Sequence, residues 1–133
     1  MSAKSIERLD DRDGLLRLAM CGDATISALA GIAGLFGGFL EFGGAPALFV
    51  HGMASFFIAY GVIVIGLAAL PSVRRSGAGV VIANLLYTLA AGVVLLAQVF
   101  PFTPAGVAFV SASAIYTLSF AVLQYTGWRR ASS

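Results

Sequence analysis

The chain has 133 residues, room for one domain and no more. Hydrophobic residues make up 59% of it and charged residues only 11%, where a soluble domain carries roughly 25% charge, so lipid is the expected solvent. A net charge of +2 is too small to point to nucleic acid, and the only cysteine, Cys21, excludes an intrachain disulfide.

The first 14 residues are polar, with Lys4, Glu7, Arg8, Asp10, Asp11, Arg12 and Asp13 crowded together. Mixed charge makes a poor signal-peptide start, and the apolar run that follows is too long for one. The segment 1–14 is read as a cytoplasmic lead-in, with Asp10 or Asp11 capping the next helix. The transmembrane domain then spans residues 15–130.

Four apolar stretches follow, expected as helices over residues 15–42, 47–70, 77–100 and 105–128. Each is at least 22 residues long. At about 1.5 Å per residue, that length exceeds the roughly 30 Å hydrocarbon core of a bilayer. A soluble reading would need four hydrophobic helices with almost no polar face. The connections 41–46, 71–76 and 101–104 are short, and each holds a proline that interrupts helical bonding. Short links make sequential helices antiparallel. The expected fold is an all-α, up-down-up-down four-helix transmembrane bundle.

Basic residues set the orientation. Lys4, Arg8, Arg12 and Arg17 precede or open helix 1, Arg74 and Arg75 lie between helices 2 and 3, and Arg129 and Arg130 follow helix 4. All eight fall on one side of a four-span model. The positive-inside rule makes that side cytoplasmic, with both termini there and the protein multi-pass in the plasma (inner) membrane. Trp128, Tyr125, Phe100 and Phe102 fall at the interfaces, where aromatic belts form.

Asp23 is the most informative polar residue. It lies six residues beyond Arg17, about 9 Å deeper along the helix. A carboxylate there is costly in lipid and should face the bundle interior. Asn84 and Gln124 are its expected neighbours, with Tyr60, Tyr87 and Tyr116 nearer the midplane. Such a cluster either binds a ligand or relays a proton, or else fixes helix packing through hydrogen bonds worth roughly 0.6 kcal/mol each. On the opposite side, Glu41 and His51 form a candidate pH-sensitive pair, against the alternative that both are merely solvated. Helix 1 also carries a stripe of small residues, Ser27, Ala30, Gly31, Gly34 and Gly38, of the kind that lets backbones approach closely. No metal or cofactor is expected: there is one histidine, and no Walker loop, GxSxG elbow, HExxH pair or haem-attachment motif occurs.

The halves look related. With Asp23 placed over Asn84, Ser27 falls on Thr88 and Gly31 on Gly92. After a five-residue gap, Tyr60 falls on Tyr116 and Arg74 on Arg130. The pattern suggests a duplicated helical hairpin, against the alternative that glycine-rich apolar helices align by composition alone.

Over its second half, the chain resembles small bacterial four-helix integral membrane proteins of unassigned function. The resemblance rests on Ala83-Asn84-Leu85-Leu86-Tyr87, Phe102-Thr103-Pro104-Ala105-Gly106 and the stretch from Leu123-Gln124 to Arg129-Arg130. It implies the architecture and no activity. Three functions remain open. The first is a non-enzymatic membrane subunit or binding module for a partner protein or a lipophilic molecule. The second is a small oligomeric transporter or channel using Asp23. The third is an enzyme on a membrane-soluble substrate, which general acid–base catalysis disfavours because only one tuned group is evident. Expected partners are the bilayer itself and a homo-oligomer or larger membrane complex. Reporter fusions after Ser76 and Ser133 should read cytoplasmic, and one near Gly44 external; an external signal from the C-terminal fusion would refute the topology.

Overall fold

The computed structural model describes residues 3–36 and 43–131, with side chains from Asp13 onward. Four helices account for most of these residues: α1 (Ala3–Phe36), α2 (Ala47–Ala68), α3 (Arg74–Leu96) and α4 (Pro104–Arg130). All four are long and apolar enough to cross a membrane. In α1 that length is reached over Asp13–Phe36. The chain is an all-α four-helix bundle of antiparallel neighbours.

Several helix ends differ from the sequence expectation. Helix α1 begins at Ala3, so Asp10 and Asp11 lie within the helix and not at its start. The first glycine after the start is Gly14, and the Ala, Lys, Glu, Arg and Leu before it are good helix formers. Helix α3 ends at Leu96 instead of reaching residue 100. There Gln98 adopts φ 49°. Its N–H donates to the Leu95 carbonyl (3.3 Å), and that of Val99 donates to the Val94 carbonyl (3.2 Å). These two bonds close the helix in a Schellman motif, a position usually given to glycine. Helix α4 starts on Thr103, whose Oγ1 accepts from the Gly106 N–H (3.1 Å), with Pro104 in the first turn.

The packing runs α2, α1, α4, α3. Helix α1 lies along both α2 and α4, and α3 lies along α4. Glycines set the closest approaches. A methyl group on Gly31 would fall 2.5 Å from the Ala54 carbonyl oxygen. One on Gly61 would fall 2.5 Å from that of Ala24, and one on Gly127 would fall 2.7 Å from the Leu16 nitrogen. Helices α2 and α3 stay further apart and meet through rings, Phe57 lying 5.7 Å from Tyr87. At the end away from the described arginines, Gly44 (φ 81°) turns the first loop against the second, and the Thr103 N–H donates to the Gly43 carbonyl (3.1 Å).

Burial is the reverse of that in a soluble bundle. Large apolar side chains such as Leu29, Val62, Leu86 and Ile115 face outward, while Asp23, Asn84, Thr117 and Gln124 are buried. Such an arrangement suits lipid as the surrounding solvent. The apolar core proper sits toward the end that holds the described arginines. It comprises Leu16, Met20, Ala24, Val64, Ala68, Val73 and Val80.

The close contacts generate a paired test. Gly61→Ala should lower stability by roughly 1–3 kcal/mol, because its methyl group meets backbone that cannot yield. Gly66→Ala, in the same helix but facing open space, should cost nothing or gain up to about 1 kcal/mol of helix propensity. Thermal unfolding in detergent distinguishes them, and equal effects would refute the packing.

Candidate functional site: a buried carboxylate with donors from all four helices

Asp23 is fully buried on α1, between the core residues Met20 and Ala24. Both its oxygens are occupied. Ser27, one turn further along α1, donates to Oδ1 (3.2 Å), and so does the Tyr116 hydroxyl of α4 (2.9 Å). Oδ2 accepts from the Tyr60 hydroxyl of α2 (2.7 Å), from Asn84 Nδ2 of α3 (2.9 Å) and from Gln124 Nε2 of α4 (3.0 Å). Five donors thus converge on a group that offers about four lone-pair directions. Asn84 Nδ2 also donates to Gln124 Oε1 (2.7 Å), which orients both amides toward the acid.

Each helix delivers its donor for a local reason. On α1, Leu16, Met20, Asp23, Ser27 and Gly31 recur every three or four residues and form the buried face. Gly61 beside Tyr60 lets α2 lie against Ala24 and Ala28, within tyrosine reach of the carboxylate. Gly127, three residues beyond Gln124, brings α4 onto Leu16 in the same way. Ala121, Gln124 and Gly127 form the buried face of α4 near this end.

Five of the six predicted cluster members, Asp23, Asn84, Gln124, Tyr60 and Tyr116, therefore meet at one point. Tyr87 does not join them. Its hydroxyl donates to Ser113 Oγ (3.0 Å), and its ring packs on Phe57. It lies three residues beyond Asn84, nearly one turn further from the arginine-bearing end, and bonds Ser113 in place of the carboxylate. Ser27, read from sequence as a packing residue, is itself a donor to the acid. Of the small-residue stripe, Gly31 is buried and Gly34 faces the Ala54 methyl (3.1 Å from an added Cβ), but Ala30 is exposed. The contact passes from Ser27 to Gly31, four residues on, and Ala30 is turned off that line. Gly38 and Glu41 lie outside the described residues. His51 is exposed on α2.

Sequence reasoning missed two polar features. Thr88 and Thr117 share a hydroxyl bond of 2.7 Å between α3 and α4, and Thr117 is buried. Their signal was a hydroxyl on the inward face of each helix. Arg17 donates from Nη1 to the carbonyls of Ala68 (2.8 Å) and Leu70 (2.6 Å), and from Nη2 to that of Pro71 (2.8 Å). These bonds close the open end of α2, while Asp13 holds the guanidinium from one turn away (3.7 Å). Among the described residues no group of three or more metal-ligating side chains occurs.

Taken together, the outward apolar faces and the inward polar cluster define a small polytopic membrane protein. No family model, curated protein or solved structure matches the chain.

The cluster predicts a graded response. Asp23→Ala removes five bonds and should cost about 3 kcal/mol, taking roughly 0.6 kcal/mol for each bond inside a membrane. Tyr87→Phe removes one bond outside the cluster and should cost only about 0.6 kcal/mol. Equal shifts in detergent unfolding temperature would show that the acid does not organise the bundle.

Proposed function

We propose that the chain is a non-enzymatic membrane subunit or binding module, rigidified from within by the Asp23 cluster, that holds a partner protein or a lipophilic molecule on its outer helix faces. The observation carrying this reading is the saturation of Asp23. Donors from every helix occupy both carboxylate oxygens, so the acid is committed to joining the helices and has no oxygen left for a substrate. Catalysis by a proton-transferring acid needs a second positioned group and access to the reacting atom. The cluster's other members are neutral amides and hydroxyls, already bonded to one another. Localisation in a bacterial inner membrane with both termini cytoplasmic belongs to the same reading, supported by the one-sided arginines.

A transporter reading has one observation in its favour: Asp23 is a lone acid at membrane depth with no cation bonded to it among the described residues. The two readings separate in proteoliposomes loaded with a pH-sensitive dye and challenged with proton or sodium gradients. The subunit reading expects flux equal to that of protein-free vesicles. It also expects a stoichiometric second component when the protein is extracted from its native membrane within a polymer-bounded lipid disc and weighed by native mass spectrometry. Flux that disappears in Asp23→Asn, with the protein still inserted, would overturn it.

A further inference from the structure

At the arginine-bearing end, four side chains stack in sequence. The Arg74 guanidinium lies 4.3 Å from the centre of the Trp128 ring. Trp128 stacks on Tyr125 with 6.0 Å between centroids and 21° between planes. The Arg129 guanidinium lies over the Tyr125 ring, 6.0 Å from its centre. Trp128 is half-buried and packed against the apolar core, so the stack is anchored at one end. Cation–π stacking uses the face of a guanidinium and leaves its N–H edges free to bind.

Beside the stack, Tyr125, Thr126, Arg129 and Arg130 line a hollow of about 320 Å³. Tyr125, Arg129 and Arg130 are exposed. No carboxylate among the described side chains lies in salt-bridge range of either arginine. Thr126 donates its hydroxyl proton to the Val122 carbonyl (2.9 Å), which leaves its oxygen as an acceptor only. The hollow is thus bounded by two planar cations and a phenol, a donor set that matches a phosphate. About one, two and three turns deeper than Tyr125 on the same helix, Val122, Leu118 and Ile115 face outward. This apolar flank runs from the hollow toward the membrane interior. A soluble anion would gain nothing from it, whereas the acyl chains of a lipid would lie along it.

We propose that this hollow is a binding site for an anionic phospholipid of the adjoining leaflet. Arg129 and Arg130 hold the phosphate, Tyr125 donates to the headgroup, and the α4 flank receives the chains. Juxtamembrane guanidiniums attract anionic lipids, and the stack fixes the orientation of one of them before a lipid arrives. The site is separate from the Asp23 cluster and does not depend on the function assigned above. The plainer role of Arg129 and Arg130, complementing the C-terminal dipole of α4, is met by charge alone and predicts no lipid selectivity.

The test uses the full chain in nanodiscs containing equal amounts of phosphatidylglycerol and phosphatidylcholine, with retained lipids counted by native mass spectrometry. Wild type should retain phosphatidylglycerol in preference, and the double variant Arg129→Gln/Arg130→Gln should weaken that retention by roughly tenfold or more, the effect of removing two interfacial charges. Arg75→Gln removes an exposed charge at the same end but outside the hollow and should change retention less than twofold. Equal retention of both lipids by wild type would overturn the site. So would an equal loss in Arg75→Gln, which would indicate diffuse surface charge. Displacement of the bound lipid by soluble glycerol phosphate at millimolar concentration would assign the hollow to a free anion instead. Both variants alter only exposed side chains, and an unchanged unfolding temperature verifies that they fold.

Discussion

Burying the Asp23 carboxylate at membrane depth imposes a demand that the rest of the bundle is built to meet. In hydrocarbon no water offers hydrogen bonds, so the donors must come from the protein itself. One helix cannot surround a carboxylate with enough of them. Tyr60, Asn84, Tyr116 and Gln124 come from the three other helices, and each is in place only if its helix lies close to α1 or is held at a set distance from it. The close approaches at Gly31, Gly61 and Gly127 follow from that requirement, since a single methyl group at any of them would push the backbones apart. Polar specificity and small-residue packing are two sides of one arrangement, because hydrophobic association supplies little preference between helices already dissolved in lipid.

The two ends of the bundle are secured differently. At the arginine-bearing end, Arg17 satisfies the last carbonyls of α2, and Arg74 crosses from α3 to the Trp128 ring of α4. The apolar core lies beside them, with Trp128 and Ala131 packed against it. Toward the opposite end the buried residues are small, Ala54, Ala91 and Gly106 among them, and the loops bond directly to each other through Gly43 and Thr103. At the same end the rings of Phe49, Phe100 and Phe102 pack in a run. Charged groups anchor the one end, and backbone bonding with ring packing anchors the other.

The positions that align between the two halves of the sequence have unlike surroundings in the bundle, the central polar cluster excepted. The two aligned pairs, Asp23 with Asn84 and Tyr60 with Tyr116, meet in one cluster around the carboxylate. Gly31 and Gly92 are not equivalent: the first is pressed against Ala54, and the second faces open space. Likewise α1 packs closely on α4, while α2 and α3 stand apart across Phe57, Tyr60 and Tyr87.

The sequence by itself determined the number of spans, their antiparallel order, the side that carries the basic residues and most of the polar cluster. Each of these follows from a cost that grows with distance from water, and such costs are written directly into composition and spacing. Asp23, Asn84 and Gln124 stand out because few residues of their kind lie within these spans. Only the tertiary structure decided which hydroxyl reaches which acceptor. Tyr60 and Tyr87 look alike in sequence, yet one bonds the acid and the other bonds Ser113, because reach depends on the rotation and separation of helices. The stacked run from Arg74 to Arg129 was equally hidden, since its members lie on two helices and meet only after α3 and α4 have packed. The early end of α3 was hidden too, because a left-handed residue is legible when it is glycine and silent when it is Gln98.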